Sequence, residues 1–298
     1  MATEACRRRN ASSAADPRMY EEFYGMRERP FALLPDASYL FLSKGHSTAL
    51  TLLRYSIMNR QGFTVVSGEV GSGKTTLINR LLDEMKTNVT VGLINFTSHT
   101  FGDMGEWIMM AYGLPYKGKS KVELYDDFVQ FMISEYAAGR PVVLIVDEAQ
   151  NLGISGLEEI RMLSNVNAQK DYLLHVILVG QPELRSLLQS RQLRQLTQRV
   201  SVAYHLNRLT DQEVAQYIVH RVTLVGGSES LFSPEAIRLI AAASDGIPRL
   251  VNTFCDLALV YAYSEDKQAV TATEVRAVLE DRVQMGLPAG GGAGIVAA

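Results

Sequence analysis

The sequence predicts an α/β fold: a five-stranded parallel sheet flanked by helices, followed by a small all-helical domain. Three observations predict it. Apolar, β-branched runs alternate with helix-period segments from residue 44 to about 206. The inner runs are apolar at nearly every position, as in parallel strands buried on both faces. After Leu209 the strand signals stop while the helical ones continue.

Each element has its own warrant. GHSTALTLLRYSIMNR (45–60) carries the helical period; FTVVSG (63–68) reads as a strand and KTTLINRLLDEM (74–85) as the helix after it. NVTVGLINF (88–96) is the next strand. Two helices are expected beyond it, the second placing Leu124, Phe128, Phe131, Met132 and Tyr136 on one face. PVVLIVDE (141–148), YLLHVILVG (172–180) and VSVAYHL (200–206) complete the five strands. TDQE (210–213) has the spacing of a capping box, and Val214, Tyr217, Ile218, Val222 and Val225 line the helix that follows. SPEAIRLIAAAS (233–244) opens with a Ser cap and a first-turn Pro. PRLVNTFCDLALVYAY (248–263) and TATEVRAVLEDRV (271–283) make a four-helix appendage. The expected division is a flexible arm over 1–18, the α/β domain over 19–208, a helical lid over 209–285 and a disordered tail over 286–298.

Composition narrows the function classes. With 47% apolar and 20% charged residues the 298-residue chain is too apolar for disorder and long enough for one large core or two modest ones. A net charge of -3 exerts no global pull on nucleic acid or anionic lipid, so such a contact needs a local patch. Cys6 and Cys255 are far apart, which argues against a disulfide framework and for a reducing compartment. No apolar run approaches the eighteen or so residues that span a bilayer. Arg7, Arg8 and Arg9 have no apolar stretch behind them, so the N-terminus does not read as a secretory signal; it reads as a basic arm.

The chemistry concentrates in GEVGSGKTT, comprising Gly68, Glu69, Val70, Gly71, Ser72, Gly73, Lys74, Thr75 and Thr76. A buried strand before it and a helix after it are the context of a phosphate-binding P-loop. Backbone N–H groups turn toward phosphate oxygens, the helix N-terminus adds partial positive charge, and Lys74 reaches the β and γ phosphates of ATP. Thr75 offers a hydroxyl to Mg²⁺. The metal also needs a carboxylate, and VVLIVDEAQ supplies Asp147 at the C-terminal end of a central strand. Glu148, expected on the other face of the strand end, is the candidate for orienting an attacking water. Gln181 follows Gly180 at another strand tip, where its amide suits the γ-phosphate, the water or a simple turn. Arg191, Arg194 and Arg199 precede the fifth strand and by themselves also suit a solvated face. In GIPRLVN (246–252) Arg249 opens a helix, where a cation opposes the helix dipole and asks for an anionic partner.

Taken together, the P-loop, the DE pair, the polar strand tip, the arginine before strand five and the GxPR helix resemble an AAA+ ATPase. The stretch from YGMRERPFALLPDASYLFLSKG through GSGKTTLINRLL, with DEAQNL and VILVGQPEL, is similar to the general secretion pathway protein A (ExeA-like) family over about residues 19–285. The resemblance implies a five-stranded core with a helical lid, Mg-ATP hydrolysis, and assembly into a homo-oligomer. It assigns Gln181 as sensor 1, Arg199 as an arginine finger acting across the interface, and Arg249 as sensor 2. Members that act on the cell wall carry a transmembrane helix and periplasmic domain after the lid; a Gly/Ala tail follows here, a departure that counts against expecting a peptidoglycan-directed role.

The leading expectation is therefore a cytoplasmic motor or switch ATPase, with peripheral attachment at the inner membrane left open, serving envelope secretion, pilus or exopolysaccharide export. A DNA-associated AAA+ regulator of the transposition-helper type is the alternative. The net charge and the lack of a basic patch interleaved with aromatics speak against it.

Overall fold

Three strands bury every residue they contribute, the polar Thr64, Ser67 and His175 included: β1 (Phe63–Gly68), β3 (Val142–Asp147) and β4 (Leu174–Gly180). The other two, β2 (Thr90–Asn95) and β5 (Val200–Leu206), are only partly buried. That contrast fixes the sheet order. In the computed structural model, which describes residues 19–85, 89–95, 103–168 and 171–286, the strands lie in the order β2-β3-β4-β1-β5 and every pairing is parallel. The fully buried strands are central and the partly buried ones are at the edges, as solvent exposure demands.

Alternate residues of the strands feed two cores. Val65, Leu144, Val146, Val176 and Leu178 meet α3 (Met104–Ala111), α4 (Lys121–Ala137) and α5 (Gly153–Leu163) through Ile108, Phe128, Met132, Leu157 and Ile160. Val66, Val143, Ile145, Ile177 and Val179 meet α1 (Lys44–Met58) and α2 (Lys74–Met85) through Leu50, Leu53, Ile57, Leu77 and Leu81. Each such side chain contributes about 1.5–3 kcal/mol by leaving water. Caps set the helix starts: Ser43 receives the His46 N–H, and Ser120 and Glu123 form a reciprocal capping box.

The fourth strand starts later than expected. Tyr172 belongs instead to a short antiparallel ribbon, Asn167–Ala168 with Asp171–Tyr172, and β4 begins at Leu174. Beyond β4 come α6 (Pro182–Leu188) and the single-turn α7 (Arg194–Thr197).

The chain divides into two compact units, one of residues 34–213 and 245–250, the other helical with 214–244 and the segment from 251. The helices are α8 (Asp211–Leu224), α9 (Pro234–Ser244), α10 (Pro248–Ser264) and α11 (Ala272–Gln284). Thr210 with Glu213 and Thr271 with Glu274 cap two of them. Residues 19–33, which the sequence groups with the α/β region, cluster with the helices. Tyr20, Met26 and Phe31 are buried there, Phe31 meets Phe232 edge-on, and the Arg221 guanidinium donates to the carbonyls of Pro30 and Ala32. Cys255 is a buried thiol of α10, pushed up by burial. Among the described residues no helix is long and apolar enough to cross a membrane. The arm over 1–18 and, save Gly286, the tail lie outside the described residues.

Candidate active site

Parallel strands end together, and here that edge collects the predicted chemistry. Ser67 pairs with Gly180, and Asn95 with Asp147, so the P-loop, Asp147 and Gln181 leave the sheet from the adjacent strands β1, β3 and β4 at their C-terminal ends. The loop is already shaped for a phosphate. Gly71 and Gly73 take φ of +79° and +93°, which aims successive N–H groups inward. The Lys74 ammonium, buried at the start of α2, donates to the carbonyls of Gly68 and Glu69 at 2.9 Å each. Burial pulls it below the ordinary lysine range, while the carboxylates of Glu148 and Asp147 hold it up. Ser72 Oγ, inside the same loop, is buried without a hydrogen-bond partner, as expected of a site that a polar ligand completes.

Thr75 donates its hydroxyl to Asp147 Oδ2 at 2.9 Å, bringing together the two residues expected to hold a metal. Burial pushes the Asp147 carboxyl above the usual carboxylate range; the Thr75 hydroxyl and the Glu148 N–H pull it back. Among the described residues no group of three or more His, Cys, Asp or Glu could hold a metal ion. One carboxylate and one hydroxyl suit Mg²⁺, which keeps several waters and takes phosphate oxygens, and not a cation caged by protein alone.

Glu148 departs from expectation. The strand ends at Asp147, and Glu148 turns out of it in the left-handed region (φ 53°, ψ 40°), so strand alternation does not orient it. Its Oε2 instead accepts from Gln181 Nε2 at 2.9 Å and from Gln150 Nε2 at 2.6 Å. Gln181 thus sits beside the candidate water-orienting carboxylate. Arg249, in the first turn of α10, donates its backbone N–H to Gly71 O at 3.2 Å; a Cβ on Gly71 would lie 2.5 Å from Arg249 Cβ. Val70 is exposed and Thr76 half-buried at the loop's flanks. Arg199 is not brought to this edge. It precedes Val200, which pairs with Phe63 at the opposite end of the sheet, about 20 Å away for a six-residue strand, and it donates to Ser164 Oγ at 3.4 Å. Arg191 and Arg194 are exposed nearby in sequence.

Three further residues escaped the sequence reading. Gln150 is one. His46 is another: buried, it sits 3.1 Å from Ser72 O through Nε2 and 2.7 Å from Ser43 Oγ through Nδ1. Burial lowers its basicity, so the neutral ring donates to the loop carbonyl and accepts from Ser43. The third is Arg208, whose guanidinium lies between Glu69 of the loop and Asp245, four residues before Arg249. No spacing rule flags any of them, although Gln150 lies in DEAQ and His46 in the helical run GHSTALTLLRYSIMNR.

The comparisons agree with this geometry. A family model described as AAA domain matches residues 57–188. General secretion pathway protein A of Aeromonas hydrophila is 36% identical over 258 residues, 86% of this chain and 47% of that protein. The chain therefore spans about half the length of that relative. Among solved structures, ORC2 of Aeropyrum pernix in ADPNP–ADP complexes aligns with a TM-score of 0.64 at 18% identity, covering 85% of this chain and 71% of that one. Drosophila ORC bound to DNA aligns at 0.65 with 17% identity, covering 92% and 69%. Cdc6p of Pyrobaculum aerophilum aligns at 0.61 with 16% identity, covering 86% and 75%. At these identities the structural likeness speaks to the fold.

Proposed function

From a chain that is an ExeA-like AAA+ ATPase, we propose a Mg²⁺-dependent ATP hydrolase that works as an oligomeric switch for an envelope secretion, pilus or exopolysaccharide export machine. One observation carries the hydrolytic part: the Thr75–Asp147 pair and the Glu148–Gln181 pair meet at the strand edge that also holds the P-loop. The secretion part is supported by the relative's name, and in this reading the protein works on the cytoplasmic side of the envelope, where ATP is.

The division of labour follows from position. The loop N–H groups and Lys74 bind the phosphates, while Thr75 and Asp147 hold the metal. When bound between Thr75 and Asp147, Mg²⁺ would supply positive charge against the charge that develops on the phosphates. Glu148 orients and polarises the attacking water, and Gln181 reads the γ-phosphate from beside it. Arg249 adds positive charge to the nucleotide of its own chain. Arg199, a strand's length from its own P-loop, serves the nucleotide of a neighbouring subunit.

Phosphate release from ATP tests this, with and without Mg²⁺. Turnover should need the metal. Lys74→Ala should lose nucleotide binding, and Glu148→Gln should bind ATP and turn it over at least about 100-fold more slowly. A Lys74→Ala protein with unchanged ATP affinity, or a Glu148→Gln protein at the wild-type rate, overturns the assignment. Stimulation by duplex DNA that collapses with rising salt would move the reading to the DNA-associated regulator.

A further inference from the structure

Gln150 uses both ends of its side chain on the two residues assigned to the water and the γ-phosphate. Its Nε2 donates to Glu148 Oε2 at 2.6 Å, and its Oε1 accepts from the backbone N–H of Gln181 at 3.1 Å. Gln181 closes the triangle by donating its own amide to the same Glu148 oxygen. The backbone makes room for this. A Cβ on Gly180 would stand 2.6 Å from Gln150 Oε1, so the strand tip is bare where the amide lies. Glu148 needs such a brace, because its left-handed backbone conformation is one that a residue with a Cβ holds only when its surroundings over-determine it.

We infer that Gln150 is a positioning residue for hydrolysis: it ties the Glu148 carboxylate to the tip of β4, so that Glu148 and Gln181 are set as one unit. The inference rests on the hydrolytic reading of this site. Gln150 does not touch the reacting atoms; it acts through Glu148 and Gln181. With it removed, Glu148 Oε2 loses its shortest partner and the Gln181 N–H, at the unpaired start of α6, loses its acceptor. The carboxylate then samples orientations in which the water is misplaced, and a displacement of about 1 Å is enough to cost up to about 100-fold in rate.

The test is a kinetic series on the full chain with Gln150→Leu, Gln150→Glu, Gln181→Ala and the double variant Gln150→Leu/Gln181→Ala. Gln150→Leu keeps the bulk and removes both hydrogen bonds; Gln150→Glu keeps the acceptor and sets a second carboxylate against Glu148. Both should lower kcat about 10- to 100-fold while the affinity for a non-hydrolysable ATP analogue and the melting temperature stay at wild-type values. The double variant should be no slower than the slower single, because both remove the same unit. Unchanged kcat in Gln150→Leu and Gln150→Glu, or losses that multiply in the double variant, overturns the inference alone. So does a kcat loss that tracks a fall in analogue affinity and melting temperature, and if Gln150→Leu fails to fold, Gln150→Glu carries the same decision. A wild-type protein with no turnover sinks the hydrolytic reading and the inference with it.

Discussion

Replacing Gly71 with alanine separates two reasons for a glycine in the phosphate loop. One reason is the ligand, which a nucleotide-free protein would not feel. The other is internal: φ at Gly71 is +79°, and an added Cβ would lie 2.5 Å from Arg249 Cβ. A left-handed backbone with a Cβ costs about 1–2 kcal/mol, and forcing an extra methyl into a filled site costs about 1–3 kcal/mol. Together they predict a loss of about 3 kcal/mol without nucleotide, or about 6–12 °C in melting temperature for a unit of this size. The part owed to the clash should be recoverable. Arg249→Gly removes the opposing Cβ, so Gly71→Ala should cost about 1–2 kcal/mol less in that background than in the wild type. Urea or thermal melts of the four proteins, all without nucleotide, give the cycle directly. Additive losses, or a Gly71→Ala protein that melts within 1 °C or so of wild type, would refute the internal reason and leave only the ligand.

Mixing subunits tests the two arginines: Lys74→Ala with Arg199→Ala should regain part of the ATPase, because some interfaces then pair an intact P-loop with an intact finger, whereas Lys74→Ala with Arg249→Ala should stay inactive. No recovery in the first mixture despite proven co-assembly, or recovery in the second, removes or reverses the roles. His46→Ala should lower stability by about 1–3 kcal/mol by leaving the Ser72 carbonyl without its donor; His46→Gln, whose amide reaches as far as Nε2, should restore most of it and His46→Asn little, as melts will show. The raised folded-state pKa of Asp147 means that its contribution to stability is greatest below the ordinary carboxyl value near about 4 and is lost as pH rises through the folded-state value. Asp147→Asn should accordingly melt above the wild type at neutral pH without nucleotide or metal, with a gap that shrinks on acidification and closes when Mg²⁺ and nucleotide load the wild type; a gap independent of pH would mean that burial of the charge is not its source.

What the sequence made legible was local or periodic. Continuous apolar runs marked β3 and β4 as buried on both faces, and the spacing within GEVGSGKTT carried the loop geometry with it. Asp147 was readable because a strand end is a place that a run of apolar residues defines. Glu148 was readable in kind and not in orientation, since the chain's departure from the strand into a left-handed turn follows no alternation rule. Gln150 and His46 were hidden for a different reason. Their distant partners, Gln181 and Ser72, are 31 and 26 residues away, and they meet only because β4 lies beside β3 and the start of α1 reaches the loop. The grouping of residues 19–33 with the helices is likewise a matter of long-range packing, carried by Tyr20, Phe31 and Arg221 and by no feature of the segment itself.

Position 148 sets two kinds of selection against each other. With φ at 53°, its backbone conformation suits glycine or asparagine better than glutamate by about 1 kcal/mol or more. A library of variants winnowed only by heat would therefore drift at this site toward Gly and Asn. The survivors would be well-folded proteins that take up a nucleotide and keep it. In a mixed assembly each such survivor would occupy a place without completing a cycle, so a thermostabilised preparation could be purer, hardier and slower than the protein it came from.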